Sequence, residues 1–298
     1  MKILVIQENG RHDANRKYRE CFSLQRAFIF HGHECDVWGL GHSNYTNIPN
    51  YESYDWIINL ENYDESNWVP NLSNVKNPKK FLWSIDAHCR GRELKELCKT
   101  QLNNFVQHQD TTAGEKLYEE IFDKEQYDYL LHSTKDFVKK PHHIWFPNCF
   151  DDTLVQKIDV AKTYDIGFCG SYVNRKYILE WLQNSFNVHL DIFVIGDEMV
   201  KTLNSYKCHF NLNIANDINY RSFETIGCGT ALLTNYNNQY DDLGFRDGIN
   251  CFMYKDEKDL VNKIQFIKQN DISEISKNGY ELSKKHSYKE RVKILFGL

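Results

Sequence analysis

Short apolar runs alternate with longer amphipathic stretches along the whole chain, and that alternation predicts βα units built around parallel sheets. In the first half the runs KILVIQ (2–7), CDVWGL (35–40), DWIINL (55–60), KKFLWSI (79–85), NNFVQH (103–108), YDYLLHS (127–133) and HHIWFP (142–147) predict strands. Between the first two, a helix over 14–30 places Phe22, Arg26 and Ile29 among apolar neighbours at helical spacing and stops at Gly32. The segment FPNCFDDTLVQKIDVAKT (146–163) breaks the alternation with a proline and a polar run, and reads as a linker. A second series follows: YDIGFCGS (164–171), a helix from Arg175, VHLDIFVIGD (188–197), a helix, CHFNLNIA (208–215), a helix through Glu224, TALLTN (230–235), NCFMY (250–254) and a helix from Asp256. The stretch 271–298 is helical and amphipathic, and His286, Tyr288 and Arg291 are expected on a terminal helix with a structural role.

This pattern implies two parallel-sheet domains in tandem, 1–155 and 156–298, facing each other across a cleft, with the terminal helix packing back toward the first. At 298 residues each domain can bury a core of its own. Hydrophobic residues at 41% and charged residues at 26% describe a folded, non-membrane chain. No apolar run approaches the roughly 20 residues of a membrane span. The opening MKILVIQENG reads as a buried strand and not as a signal peptide. Nine cysteines without a C-x-x-C pair or zinc spacing fit reduced thiols and a cytoplasmic location. A net charge of −5 gives the chain as a whole no electrostatic claim on nucleic acid. Residues 1–26 differ, with six basic against three acidic side chains. The aromatic share of 14% includes Tyr and Trp of the kind that line sugar or base sites, although core and surface packing accounts for most such residues.

In sheets of this type ligands bind beyond the carboxyl ends of the strands. Gly167 and Gly170 bracket such an end, and Arg175 and Lys176 open the next helix, so backbone N–H groups and cations together suit a phosphate. FVIGDE (193–198) predicts a second strand ending in a glycine, Gly196, open to backbone contact with a base or phosphate. Arg221 and Glu224 stand at i and i+3 on one helix. They are either an isolated structural pair, or a glutamate that accepts ribose hydroxyls beside an arginine that addresses a diphosphate.

FETIGCGTALLTN (223–235) looks like the donor-site element of group 1 glycosyltransferases of the GT-B fold. More closely, RSFETIGCGTALLT (221–234), NCFMYKDEKDLVNKI (250–264), HSYKERVKILF (286–296) and YDIGFCGS together resemble the glycosyltransferases related to spore maturation protein CgeB. The agreement covers roughly 164–298, and the first half follows in outline through FLWSIDAH (81–88) and FVQHQD (105–110). The resemblance implies a hexosyl- or pentosyltransferase in which Glu224 holds the ribose of a nucleotide-sugar, most simply a UDP-sugar. Arg221 and Arg175 would neutralise the diphosphate, Gly170 and Ser171 would offer backbone donors, and no cofactor or metal would be required. One departure stands out: where many group 1 enzymes carry an earlier glutamate, this chain has Asn216, with Asp217 beside it.

No Asp-x-Asp clamp for a metal–diphosphate follows a strand, and Asp151-Asp152 and Asp241-Asp242 read as solvated turns. The histidines HGH (31–33) and PHH (141–143) lack the helical spacing of a zinc site and read as loop residues. An inverting transfer needs a base from the first domain. Asp86, after FLWSI, is the first candidate and His88 the second, with Glu8, His12 and Asp110 also after strands. The basic loop NGRHDANRKYR (9–19) is either a solvated turn or, through Arg16 and Lys17 with Glu8 and His12, part of an acceptor site. The acceptor is then a glycan or glycoconjugate, or hydroxymethylated DNA of the kind phage enzymes of this fold glycosylate. A non-catalytic nucleotide- or sugar-binding module is the alternative of another class. A dinucleotide oxidoreductase is disfavoured because QENGRHD (7–13) lacks G-x-G-x-x-G.

Overall fold

The computed structural model describes residues 1–10, 12–60, 68–85, 87, 112–172, 175–214 and 216–298. Among them, 1–147 and 288–298 form one compact unit and 148–287 a second. The first unit is built on β1 (Lys2–Ile6), β2 (Glu34–Trp38), β3 (Trp56–Asn59), β4 (Lys79–Ser84), β5 (Tyr129–His132) and β6 (His143–Trp145). These pair in the order β2-β1-β3-β4-β5-β6, every pair parallel. Ile3 to Ile6 are wholly buried, which is why this strand reads as an unbroken apolar run and not as an alternation. The predicted strand at 103–108 lies outside the described residues. Trp38, Tyr45, Tyr51 and Trp68 pack on one another at the end of β2 and belong to the core of this unit.

The helix expected over 14–30 is interrupted. A short helix, Asp13–Arg16, is followed by Glu20–Phe30, with Arg19 between them in extended backbone. That conformation carries the Arg19 guanidinium to the Glu8 carbonyl at 3.4 Å, and Gln7 then bonds both the Cys21 N–H at 2.9 Å and Glu20 at 2.8 Å. The last residues complete the same unit: Phe296 packs on Phe28, His31, His33 and Trp56, and the His31 ring bonds the Lys289 carbonyl at 2.8 Å. The terminal helix begins only at Tyr288, so His286 is not on it. His286 sits in the second unit against Phe223 and Phe245, its Nε2 2.9 Å from the Leu243 carbonyl.

The second sheet comprises β7 (Tyr164–Gly170), β8 (His189–Ile192), β9 (Tyr206–Asn211), β10 (Ala231–Asn235) and β11 (Phe252–Tyr254) in the order β11-β10-β9-β7-β8, again all parallel. FVIGDE is not a strand. β8 stops at Ile192, Phe193 turns into the left-handed region at φ 57° held by its N–H on the Gly170 carbonyl, and Gly196 at φ 65° opens the helix Gly196–Ser205. Asp151 is buried rather than solvated, because its carboxylate caps the turn through the Thr153 N–H at 3.0 Å and hydroxyl at 2.5 Å. The seven cysteines among the described residues are all buried.

Gly167 in β7 is required by a neighbour, not by its backbone angles. A Cβ there would meet the Tyr206 ring at 2.3 Å, and that ring is held by its hydroxyl on Asp191 and on the Phe168 carbonyl. Gly167→Ala is therefore expected to destabilise the second unit by about 1–3 kcal/mol. Denaturant unfolding followed by tyrosine and tryptophan fluorescence reads this directly, and an unchanged midpoint would show that the ring moves freely.

Candidate functional site

In the second sheet the chain runs from β7 out to β8 and then returns past β7 to β9. The loops after β7 and β9 thus leave the sheet in opposite directions, which opens a crevice at their carboxyl ends. Gly170 ends β7 at this point and Ser171 follows it. Arg175 spans the two loops, its Nε donating to the Leu212 carbonyl at 2.9 Å and a terminal nitrogen to the Ser171 carbonyl at 3.4 Å. Its guanidinium therefore ties the crevice walls together. Gly196 lies apart from this pair of loops, at the start of the helix after β8.

The helix after β9, Tyr220–Gly227, carries the two other donor candidates. Asn219 caps it by accepting the Arg221 N–H at 3.1 Å. Arg221 thus stands in the first turn, where the helix dipole disfavours a cation and favours an anion. A terminal nitrogen of Arg221 meets Glu224 Oε2 at 2.7 Å, with the side chains 20% and 16% exposed. Burial opposes the Arg221 charge and the Glu224 carboxylate favours it; the net effect raises the guanidinium further above its ordinary value. Glu224 Oε1 has no hydrogen-bond partner among the described residues. Cys169 in β7 feels both charges: its thiol, pushed up to about 11 by burial, is lowered by Arg221 and raised by Asp191 and Glu224.

The small-residue run after Glu224 now has a reason at each position. Gly227 faces the Phe150 ring, which a Cβ would approach at 2.6 Å. Cys228 is buried, and Gly229 at φ 66° closes the helix, with its N–H on the Ile226 carbonyl and the Thr230 N–H on the Thr225 carbonyl. A separate cavity of about 310 Å³ lies at this carboxyl end of the helix, between Phe150, Lys157, Gly227, Tyr280 and Lys284. It is away from the strand ends and outside the crevice.

Beneath the crevice lies a buried network of uncharged polar side chains that sequence reasoning missed. Asn213 Nδ2 donates to Thr234 at 3.1 Å and to the Tyr240 hydroxyl at 2.8 Å, and Ser222 meets the same hydroxyl at 2.7 Å. Asn211 donates to the Ser222 hydroxyl at 2.9 Å and to the Asn219 cap at 3.1 Å, while Asn235 accepts the Asn213 N–H at 2.8 Å. Asn216, at the departure from the family pattern, offers its carbonyl to Asn237 at 2.9 Å and to Gln239. The signal available in sequence was the density of asparagine in NLNIANDINY (211–220).

The first-unit candidates are placed around their own charges. Arg16 pairs with Asp13 at 2.6 Å, Lys17 lies over the Tyr18 ring at 5.5 Å, and Arg19 approaches Glu8 and Glu20 at 3.8 Å. His12 is exposed just before the short helix. Asp86, His88 and Asp110 lie outside the described residues.

His209 joins β7, β9 and the helix of Glu224. Its Nε2 accepts the Cys169 N–H at 3.1 Å, so Nδ1 carries the proton and donates to Thr225 Oγ1 at 2.8 Å. Burial first, and Arg221 second, hold its pKa well below the ordinary value. Protonation therefore favours the unfolded chain: the contribution is complete above the unfolded value of about 6.5 and is lost as pH falls below it. The second unit is expected to lose up to about 1.4 kcal/mol per pH unit between about pH 6 and 4 on this account, and His209→Gln to flatten that slope. Unfolding midpoints measured across this range, with equal slopes in both proteins, would remove the assignment.

Residues 152–297 match a family model described as glycosyl transferase-like. No curated protein matches the sequence. Among solved structures, a sucrose-phosphate synthase from Thermosynechococcus elongatus is similar over 99% of this chain and 97% of its own, with a TM-score of 0.64 at 13% identity. Anabaena HepE, solved with UDP and glucose, is similar over the full length of both chains with a TM-score of 0.61 at 10% identity. An α-glucosyltransferase solved with UDP and a 13-mer DNA containing an HMU base covers 99% of each chain, with a TM-score of 0.58 at 12% identity. The chain thus has the two-domain parallel-sheet fold of the GT-B glycosyltransferases, and its second half carries the similarity to a glycosyl transferase-like family.

Proposed function

We propose that the chain is a glycosyltransferase that moves a sugar from a nucleoside diphosphate, a uridine one, to an acceptor hydroxyl on a glycan or glycoconjugate. The observation that carries the reading is Glu224. It projects from the helix after β9 beside the switch point of the second sheet, with one carboxylate oxygen on Arg221 and the other without a protein partner among the described residues. A carboxylate so held is suited to accept ribose hydroxyls. Arg221, in the first turn of a helix whose dipole adds to its field, is suited to the diphosphate and to the charge that develops as it leaves. Gly170 and Ser171, braced through Arg175, form the opposite wall. The UDP and sugar ligands of the structural neighbours support the same class of donor.

The catalytic base of an inverting reaction is assigned to Asp86, with His88 as the alternative, and the transfer is assigned to positioning and fixed charge without a metal. The acceptor is assigned to the first unit, at Glu8, His12, Arg16 and Lys17. A DNA acceptor is the second reading, supported by the DNA-bound neighbour. The pairing of Arg16 with Asp13 and of Arg19 with Glu8 and Glu20 favours a less charged acceptor.

Glu224→Ala is expected to weaken UDP binding by about 2 kcal/mol, some thirtyfold, since a charged hydrogen-bond acceptor is lost. Titration calorimetry with UDP and UDP-sugars decides this, and equal affinity in both proteins removes Glu224 from the donor site. UDP release from a UDP-sugar on addition of acceptor separates an enzyme from a binding module. On duplex DNA carrying hydroxymethylated bases, the double change Arg16→Ala and Lys17→Ala is expected to abolish what activity there is, while transfer to a neutral glycan changes little. Equal loss on both would place these residues in folding.

A further inference from the structure

We propose that Glu119, His142 and His143 in the first unit form a zinc-type metal site that clamps the helix Thr112–Glu125 to the edge strand β6. One ring nitrogen of each histidine and a carboxylate oxygen of Glu119 all lie within 4.8 Å of one another. His143 Nε2 is 2.5 Å from Glu119 Oε1, and His142 Nε2 is 3.9 Å from Oε2. Tetrahedral zinc with bonds of about 2.0–2.2 Å sets its ligand atoms about 3.3–3.5 Å apart, so side-chain rotation alone brings these three to a metal.

The unpaired atoms point the same way. His142 Nε2, His143 Nε2 and Glu119 Oε1 are all buried without a hydrogen-bond partner, and the His143 side chain is wholly inaccessible. Buried polar atoms left this way are costly, and three of them converging on one point ask for a cation. The outer contacts fix the ring positions. His143 Nδ1 lies 2.8 Å from the Phe137 carbonyl, which can only accept, and a neutral ring that donates there turns its Nε2 lone pair to the carboxylate. The Lys139 N–H makes the longer contact to the same nitrogen, at 3.2 Å. Two acceptors at 2.5 Å repel unless a proton or a metal ion lies between them. The His142 ring is stacked on Phe122 at 4.2 Å and 10°, one turn along the helix from Glu119.

A third imidazole stands alongside. The His132 ring is 4.7 Å from that of His143, and its Nε2 is buried and also unpartnered. Its Nδ1 is 2.8 Å from Ser84 Oγ, which donates to the Leu131 carbonyl at 3.1 Å and so accepts from the ring. A second buried Nε2 without a hydrogen-bond partner thus belongs to the ring beside His143. Two imidazoles and one carboxylate select zinc or its late first-row neighbours over magnesium or calcium. Lys140, with its ammonium 2.6 Å from Glu119 Oε2 and its side chain half exposed, occupies the carboxylate and swings out when the metal enters.

The test is titration of the untagged, chelator-dialysed full chain with zinc chloride and, separately, magnesium chloride, by calorimetry. One zinc per chain with no magnesium response is expected. His142→Gln and Glu119→Gln are each expected to weaken zinc binding at least about tenfold, and Lys140→Ala to strengthen it. His142 is a partly exposed ligand, so its variant remains informative even where His143→Gln fails to fold. Absence of zinc binding, or a zinc affinity indifferent to both His142→Gln and Glu119→Gln, overturns the proposal and leaves a glutamate–imidazolium pair in its place.

Discussion

One buried imidazole holds the second unit in register with its candidate site. His209 lies in the middle of β9, fully inaccessible, and can be tolerated there only if both ring nitrogens are satisfied. One is satisfied by the main chain of β7 and the other by Thr225, whose hydroxyl also lies 2.6 Å from the Arg221 carbonyl. Two strands and the following helix are thereby fixed relative to one another through a single neutral ring. Arg221 and Glu224 stand four positions and one position before Thr225 on that helix, so their position over the strand ends follows from the same contact.

The amides around it settle the path of the loop. Asn211, Asn213 and Asn235 are almost wholly inaccessible, and an amide can donate and accept at once without bringing a charge indoors. They bind the ends of β9 and β10 to Tyr240 and to the helix cap at Asn219. A network of this kind rigidifies when every member is partnered and is costly when one is not. Its position under the crevice means that the charged residues above rest on a fixed floor. Arg175 makes the parallel point with a cation: a guanidinium read from sequence as a phosphate ligand also serves as a strut between two loop carbonyls.

The strands of both sheets were legible to within a few residues because each is a short apolar run flanked by polar residues, a pattern set by burial on both faces. The helix through Glu224 was legible as well, and its ends are set by equally local features, an asparagine cap and a left-handed Gly229. The misreadings share a different cause. Arg19 breaks a helical pattern because of Glu8, eleven positions away, and Phe193 leaves the β conformation because of the Gly170 carbonyl. Asp151 looks like a solvated loop residue until its carboxylate is seen to cap a buried turn.

By itself the sequence determined the alternation of strands and helices, the all-parallel sheets that follow from it, and the residue types that end each strand, since these depend on neighbours a few positions apart. Only the tertiary structure decided which of those residues meet. Glu224 and Arg221 are adjacent by helical spacing, but their place at the β7–β9 switch point depends on His209, 15 residues before Glu224, and on a strand order that periodicity does not encode. The pair at His142 and His143 reads as loop chemistry until Glu119, on a helix more than twenty positions upstream, is brought to 2.5 Å of one ring. Distance along the chain carries no information about such meetings, because long-range contacts are chosen by the packing of whole elements and not by the residues that end up touching.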